Sequence, residues 1–132
     1  MIIAIDFDGT CVKHAYPAIG ADIGAVPVLR ALVAAGHQLI LYTMRHNEYF
    51  NEAVKWFEDN NIPLWGYNNN PDQYKWTESR KVYAQLYIDD AALGVPLTRV
   101  HGERPWVDCF QVSVWLLAQN VLPTHYARRV EG

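Results

Sequence analysis

The chain has 132 residues, of which 51% are hydrophobic and 19% charged, a balance that describes a soluble globular protein with one core and no room for two. Its formal net charge of −3 argues against broad electrostatic binding to nucleic acid or to an anionic membrane. No apolar stretch reaches membrane length, and Met1 leads into a strand without a basic or leader-like segment, so a single cytoplasmic domain over residues 1–132 is expected. Cys11 and Cys109 lack metal-ligand spacing and are expected to be reduced thiols.

The run Ile2-Ile3-Ala4-Ile5 breaks abruptly into Asp6-Phe7-Asp8-Gly9-Thr10. It reads as a buried strand of a parallel sheet, and ligands in such folds bind outside the carboxyl ends of the strands. Side chains two apart on an extended backbone lean the same way, so Asp6 and Asp8 are expected to face one substrate, with Gly9 turning the chain beneath it. Taken alone, the same residues also read as a polar turn. Residues 11–21, with Pro17 and Gly20, show no period and read as a flap near the carboxylates. Val28, Leu29, Leu32 and Val33 at helical spacing predict a first helix over 26–35, stopped by Gly36. Residues 37–43 follow as a second buried strand, and the strand, helix, strand order predicts a right-handed parallel crossover.

Asn47 is expected to cap a helix over 48–59 whose Tyr49, Phe50, Ala53, Val54, Trp56 and Phe57 form a broad apolar face. Pro63 ends it, 64–67 reads as a third strand and 68–72 as a loop. A short helix is predicted over 77–83, then a fourth strand over 85–90 that again ends in acids, Asp89 and Asp90. The loops after Ala91 leave room for one edge strand. A last helix over 107–120 is expected to pack Phe110, Val114, Trp115 and Leu117 on the sheet, with a frayed or surface-bound tail from Pro123 carrying Arg128 and Arg129.

Asp6-Phe7-Asp8-Gly9-Thr10, Leu39 to Thr43, a lysine, and Tyr87-Ile88-Asp89-Asp90 together resemble, in order, the four motifs of the haloacid dehalogenase superfamily of phosphohydrolases, over residues 2–94. The resemblance implies an α/β fold, a three-layer Rossmann-like sandwich around a mostly parallel sheet. Neither interval that holds a cap domain in larger members has room for one here, so the capless branch is implied. It also implies Mg²⁺ at the Asp6 carboxylate, the Asp8 backbone carbonyl and Asp89, with Asp90 sharing the site or lying behind it; the division between the two adjacent acids stays open. Several carboxylates around a dianionic substrate would repel it unless such a hard cation intervened. Asp6 is the implied nucleophile, forming an aspartyl-phosphate, and Asp8 the implied general acid and base. Thr43 would donate to a phosphate oxygen and Lys81, with Lys75 as the rival, would neutralise charge. Gly9, Thr10 and Arg45 complete the expected substrate contacts, with Lys13, His14 and His46 as further candidates.

The expected function is therefore an Mg²⁺-dependent phosphatase acting on a phosphomonoester, with a small phosphorylated molecule as partner, nucleic acid disfavoured, no membrane, and a homo-oligomer left open. Two other classes stand beside it: a non-catalytic binding or regulatory module on the same fold, and a phosphatase acting on a nucleic-acid end or a phosphoprotein. Trp65, Trp76 and Trp106 are expected to pack rather than to stack on bases.

Overall fold

The computed structural model describes residues 1–126. In chain order it contains β1 (Ile2–Ile5), α1 (Ala25–Ala34), β2 (Gln38–Leu41), α2 (Asn47–Asp59), β3 (Gly66–Tyr67), a 3₁₀ turn at Gln73–Lys75, β4 (Leu86–Ile88), β5 (Leu97–Thr98), β6 (Trp106–Val107) and α3 (Cys109–Ala118). Four strands form a parallel sheet in the order β3-β2-β1-β4, so the apolar β1 lies inside, paired on both edges. The mixed α/β class and the parallel sheet are as expected. In place of one edge strand, β5 and β6 form a small antiparallel ribbon, with Leu97 opposite Val107.

Alternation along the strands separates two faces. Ile3, Ile5, Leu39, Leu41 and Ile88 enter one core with Leu29 and Leu32 of α1, Ala53 and Phe57 of α2, and Val112 and Leu116 of α3. α1 and α2 thus feed the same face, as two successive crossovers of one hand stepping from β1 to β2 to β3 require, and α3 packs into the same core. On the opposite face the Tyr87 hydroxyl of β4 donates to the Val82 carbonyl at 2.6 Å and accepts the Ala84 amide at 3.2 Å, so the end of the irregular segment 68–85 lies against it. The turn leaving β3 is tight, since a Cβ on Gly66 would collide with the Asn69 carbonyl and with Ile40. The third layer of the expected sandwich is therefore built from loop rather than helix.

The helix predicted over 77–83 is absent. Gln73, only 8% exposed, takes over the backbone bonding of that stretch: its side-chain amide donates to the carbonyls of Ser79 and Lys81, and its oxygen accepts the Tyr83 amide. Asn47 is not the cap of α2 either. It is the first helical residue, with φ of 51°, and His46 stands at the N-cap without a side-chain bond. In α3 the buried residues are Cys109, Val112, Ser113 and Leu116, while Phe110, Val114 and Trp115 are exposed and Leu117 is partly buried against the core. A helix apolar on all sides gives no periodic signal of which side faces inward. Asp108 caps it by accepting the Gln111 amide at 3.0 Å. Of the tail, Tyr126 packs into the core, and Arg128 and Arg129 lie outside the described residues.

Candidate functional site: an acidic cluster at the strand ends

β1 and β4 are neighbours in register, Ile5 beside Ile88, so the residues just past them, Asp6 and the Asp89-Asp90 pair, emerge side by side. The Asp6 amide donates to the Ile88 carbonyl at 3.0 Å, and the Cys11 thiol donates to the Asp6 carbonyl at 3.3 Å, which fixes the Asp6 backbone from both sides. One carboxylate oxygen from each of Asp6, Asp89 and Asp90 lies within 4.8 Å of the others. All three donors are hard oxygens, the type a divalent magnesium-like or calcium-like ion prefers. Burial pushes the Asp6 carboxyl up to about 8, the Thr10 hydroxyl opposes this, and the charges of Asp89 and Asp90 add to the rise. Metal-free, the cluster concentrates more negative charge than its surroundings solvate, the condition a bound cation relieves.

Each acid has further partners. Asp89 Oδ1 accepts the Ala91 amide at 2.8 Å and so braces the turn that follows β4. Asp90 Oδ2 lies 2.8 Å from His14 Nε2, a pair linking the flap to the cluster. Thr10, expected to contact substrate, is 1% exposed and bonded internally: its hydroxyl donates to Asp6 Oδ2 at 2.7 Å and accepts the Asp90 amide at 3.0 Å. It orients the cluster instead. Gly9 likewise has both backbone groups engaged, its amide on the Val12 carbonyl and its carbonyl under the Val107 amide, both at 2.8 Å. Its backbone is left-handed at φ of 82°, and an added Cβ would fall 2.1 Å from His14 Nε2 and 2.6 Å from Asp90 Oδ2. The glycine leaves room for the pair.

The Asp8 carboxylate is not one of the three that cluster at the strand ends. β1 ends at Ile5, and the chain turns at once, with the Thr10 and Cys11 amides both on the Phe7 carbonyl, so strand alternation no longer applies. The Asp8 carboxylate meets Arg45 in a two-pronged ion pair, Nε to Oδ2 and Nη2 to Oδ1, both at 2.8 Å. This bond raises the Arg45 pKa. Arg45, another expected substrate contact, is 3% exposed and is bonded entirely within the protein. It is buried between Asp8, the flap and the first turn of α2, of which only α2 is near it in sequence.

Thr43 stands just past β2, half-buried; its amide donates to Asn68 Oδ1 at 2.7 Å and its hydroxyl oxygen accepts the Arg45 amide at 3.2 Å, leaving the hydroxyl hydrogen free to donate. Asn68 was missed in sequence because a run of three asparagines reads only as loop. Lys75 pairs with Asp72 at 3.2 Å, both exposed, whereas the Lys81 ammonium stands 5.9 Å from the Tyr87 ring on β4, two residues before Asp89. Lys81, also exposed, lies in the loop before β4, with its ammonium beside the strand that carries Asp89. Lys13 pairs with Glu103 and lies over the Trp106 ring, and the exposed His46 ring meets Tyr49 edge-on, so neither joins the acids. Cys11 and Cys109 are free and buried; burial raises both thiols, Cys109 to about 12, which suits inert packing.

The fold and site define an α/β protein with an acidic cluster at the carboxyl ends of adjacent parallel strands. A solved structure of a conserved protein from Bacteroides thetaiotaomicron is 33% identical to this chain across 91% of both chains, with a TM-score of 0.69. The chain belongs to the same family as that protein. No family model and no curated protein sequence matches it. Among the described residues, no helix is long and apolar enough to cross a membrane.

Proposed function

We propose that the chain is a capless phosphatase of the haloacid dehalogenase type that hydrolyses a phosphomonoester with Mg²⁺. The observation that carries this reading is the convergence of Asp6, Asp89 and Asp90 within 4.8 Å at the ends of two neighbouring strands, with Asp6 held by the Thr10 hydroxyl. Asp6, Asp89 and Asp90 would hold the ion by their carboxylates, and Asp8 by its backbone carbonyl. When bound, Mg²⁺ would screen the phosphate dianion from the acids and polarise its oxygens.

Within that frame Asp6 attacks phosphorus with one carboxylate oxygen, the bond from phosphorus to the leaving oxygen breaks, and an aspartyl-phosphate results. Asp8, carrying a proton when the ester is bound, gives it to the leaving oxygen; the resulting carboxylate then takes a proton from water, whose oxygen displaces the phosphoryl group from Asp6 and regenerates the Asp6 carboxylate. The Thr43 hydroxyl donates to a phosphoryl oxygen, and the Lys81 ammonium adds positive charge. Among the described residues no cap covers the strand ends, which favours either a small ester or the protruding phosphate of a larger molecule, and the net charge of −3 favours the former over nucleic acid.

The test is hydrolysis of a broad phosphomonoester panel with Mg²⁺, wild type beside Asp6→Asn. Turnover that Asp6→Asn abolishes in a folded protein supports the reading. A panel that gives no turnover points to a binding or regulatory module instead.

A further inference from the structure

Every N–H of the Arg45 guanidinium has an acceptor. Besides the two bonds to Asp8, Nη2 donates to the Ala18 carbonyl at 2.8 Å, and Nη1 donates to the carbonyls of Pro17 at 3.1 Å and Tyr49 at 3.3 Å. Its carbon lies 5.0 Å from the Phe7 ring and 5.1 Å from the Tyr16 ring, and the side chain is 1% exposed. One cation thereby joins the end of β1, the flap and the first turn of α2. The base of the flap is clipped separately, with the Lys13 amide on the Ala21 carbonyl at 2.9 Å.

On the reading that Asp8 does the acid–base work, we propose that Arg45 is a positioning residue that makes Asp8 and the flap one rigid part, so that the flap sets the Asp8 carboxylate in place rather than opening over the site as a lid. Lifting the flap would strip two carbonyl acceptors and one aromatic face from a buried cation, and a buried charge short of partners is costly. The coupling runs both ways. Removing the Asp8 charge takes two acceptors from the same guanidinium and loosens its hold on Pro17 and Ala18. A lysine at this position has no fork and too few donors to reach Asp8 and all three carbonyls.

The experiment measures steady-state hydrolysis of 4-nitrophenyl phosphate with Mg²⁺ by wild type, Arg45→Lys and Arg45→Ala, with melting temperature as a check on folding, and amide hydrogen exchange of residues 11–21 in Asp8→Asn. A misplaced catalytic group loses roughly 10²-fold in rate, so kcat of Arg45→Lys should fall on that order while KM moves less than about threefold. Added guanidinium should restore about tenfold or more to Arg45→Ala, and ammonium should not, because only the planar fork refills the site. Flap exchange should quicken in Asp8→Asn. Wild-type kcat in folded Arg45→Lys, or unchanged flap exchange in Asp8→Asn, overturns the proposal while leaving the phosphatase reading intact. A wild type that hydrolyses no phosphate ester removes that reading, and this role for Arg45 with it.

Discussion

The Thr10 hydroxyl donates to Asp6 Oδ2 at 2.7 Å, and its oxygen also accepts the Asp90 amide, so one buried side chain ties the end of β1 to the end of β4. Thr10→Val keeps the shape and removes both bonds, leaving buried polar groups unpaired at a cost of about 1–3 kcal/mol. Thr10→Ser should retain most of the stability. Urea denaturation of the two variants checks this, and equal stability of Thr10→Val and wild type would contradict it.

Stability without metal should depend on pH through Asp6. Its folded pKa of about 8 lies above the ordinary 3.8, so between these values the folded state binds a proton that the unfolded chain has lost. This contribution is fully present below pH 3.8 and fades as pH rises toward about 8. In chelator, the melting temperature should therefore carry a component that falls over this range and that Asp6→Asn removes. A divalent cation takes over the proton's part, so Mg²⁺ should raise the melting temperature more near pH 8 than near pH 5, and its binding should release protons. Identical pH profiles for wild type and Asp6→Asn in chelator would rule out this role for Asp6.

Gly9→Ala should damage the cluster without substituting an acid. The new methyl group would collide with His14 and Asp90 and sit on a left-handed backbone. Displacing groups that orient metal ligands costs about 10–100-fold in metal affinity, so calorimetric Mg²⁺ binding should weaken on that order. Binding equal to wild type would show that the close approach of His14 to Asp90 is irrelevant to the ion.

Gln73 should matter to stability although it lies far from the acids in sequence. Gln73→Leu leaves the Ser79 and Lys81 carbonyls and the Tyr83 amide without the partner they now share. A loss of about 2 kcal/mol or more is expected from these unpaired groups, together with a raised KM, because Lys81 rides on the same loop. Unchanged denaturation curves would contradict this account of segment 68–85.

What could be read in the sequence was what local pattern determines. β1 and the buried Leu39–Leu41 of β2 are apolar runs followed by polar residues, and Asp6, Asp89 and Asp90 were legible because strand ends in a parallel sheet converge. The partners that define the site's interior were not legible. Arg45 reaches Asp8 across 37 positions and Thr10 reaches Asp90 across 80, and neither pairing leaves a local trace. Both residues therefore looked like substrate contacts, since a polar residue beside a motif gives no sign of being buried. The failed helix over 77–83 has the same origin: a glutamine several residues upstream supplies the bonds that a helix would have made internally. The inward side of α3 was illegible for the opposite reason, since Phe110, Val112, Val114, Trp115 and Leu116 offer apolar surface in every direction.

The central claim is that Asp6 becomes covalently phosphorylated. The most direct measurement is to quench the protein in acid during turnover of an aryl phosphate with Mg²⁺, using Asp8→Asn to slow breakdown of the intermediate, reduce with borohydride, and sequence the peptides by mass spectrometry. An aspartyl-phosphate is reduced to homoserine, so the account predicts homoserine at position 6, absent when Mg²⁺ or the aryl phosphate is omitted. An unmodified Asp6 in protein that is demonstrably turning over substrate would contradict it.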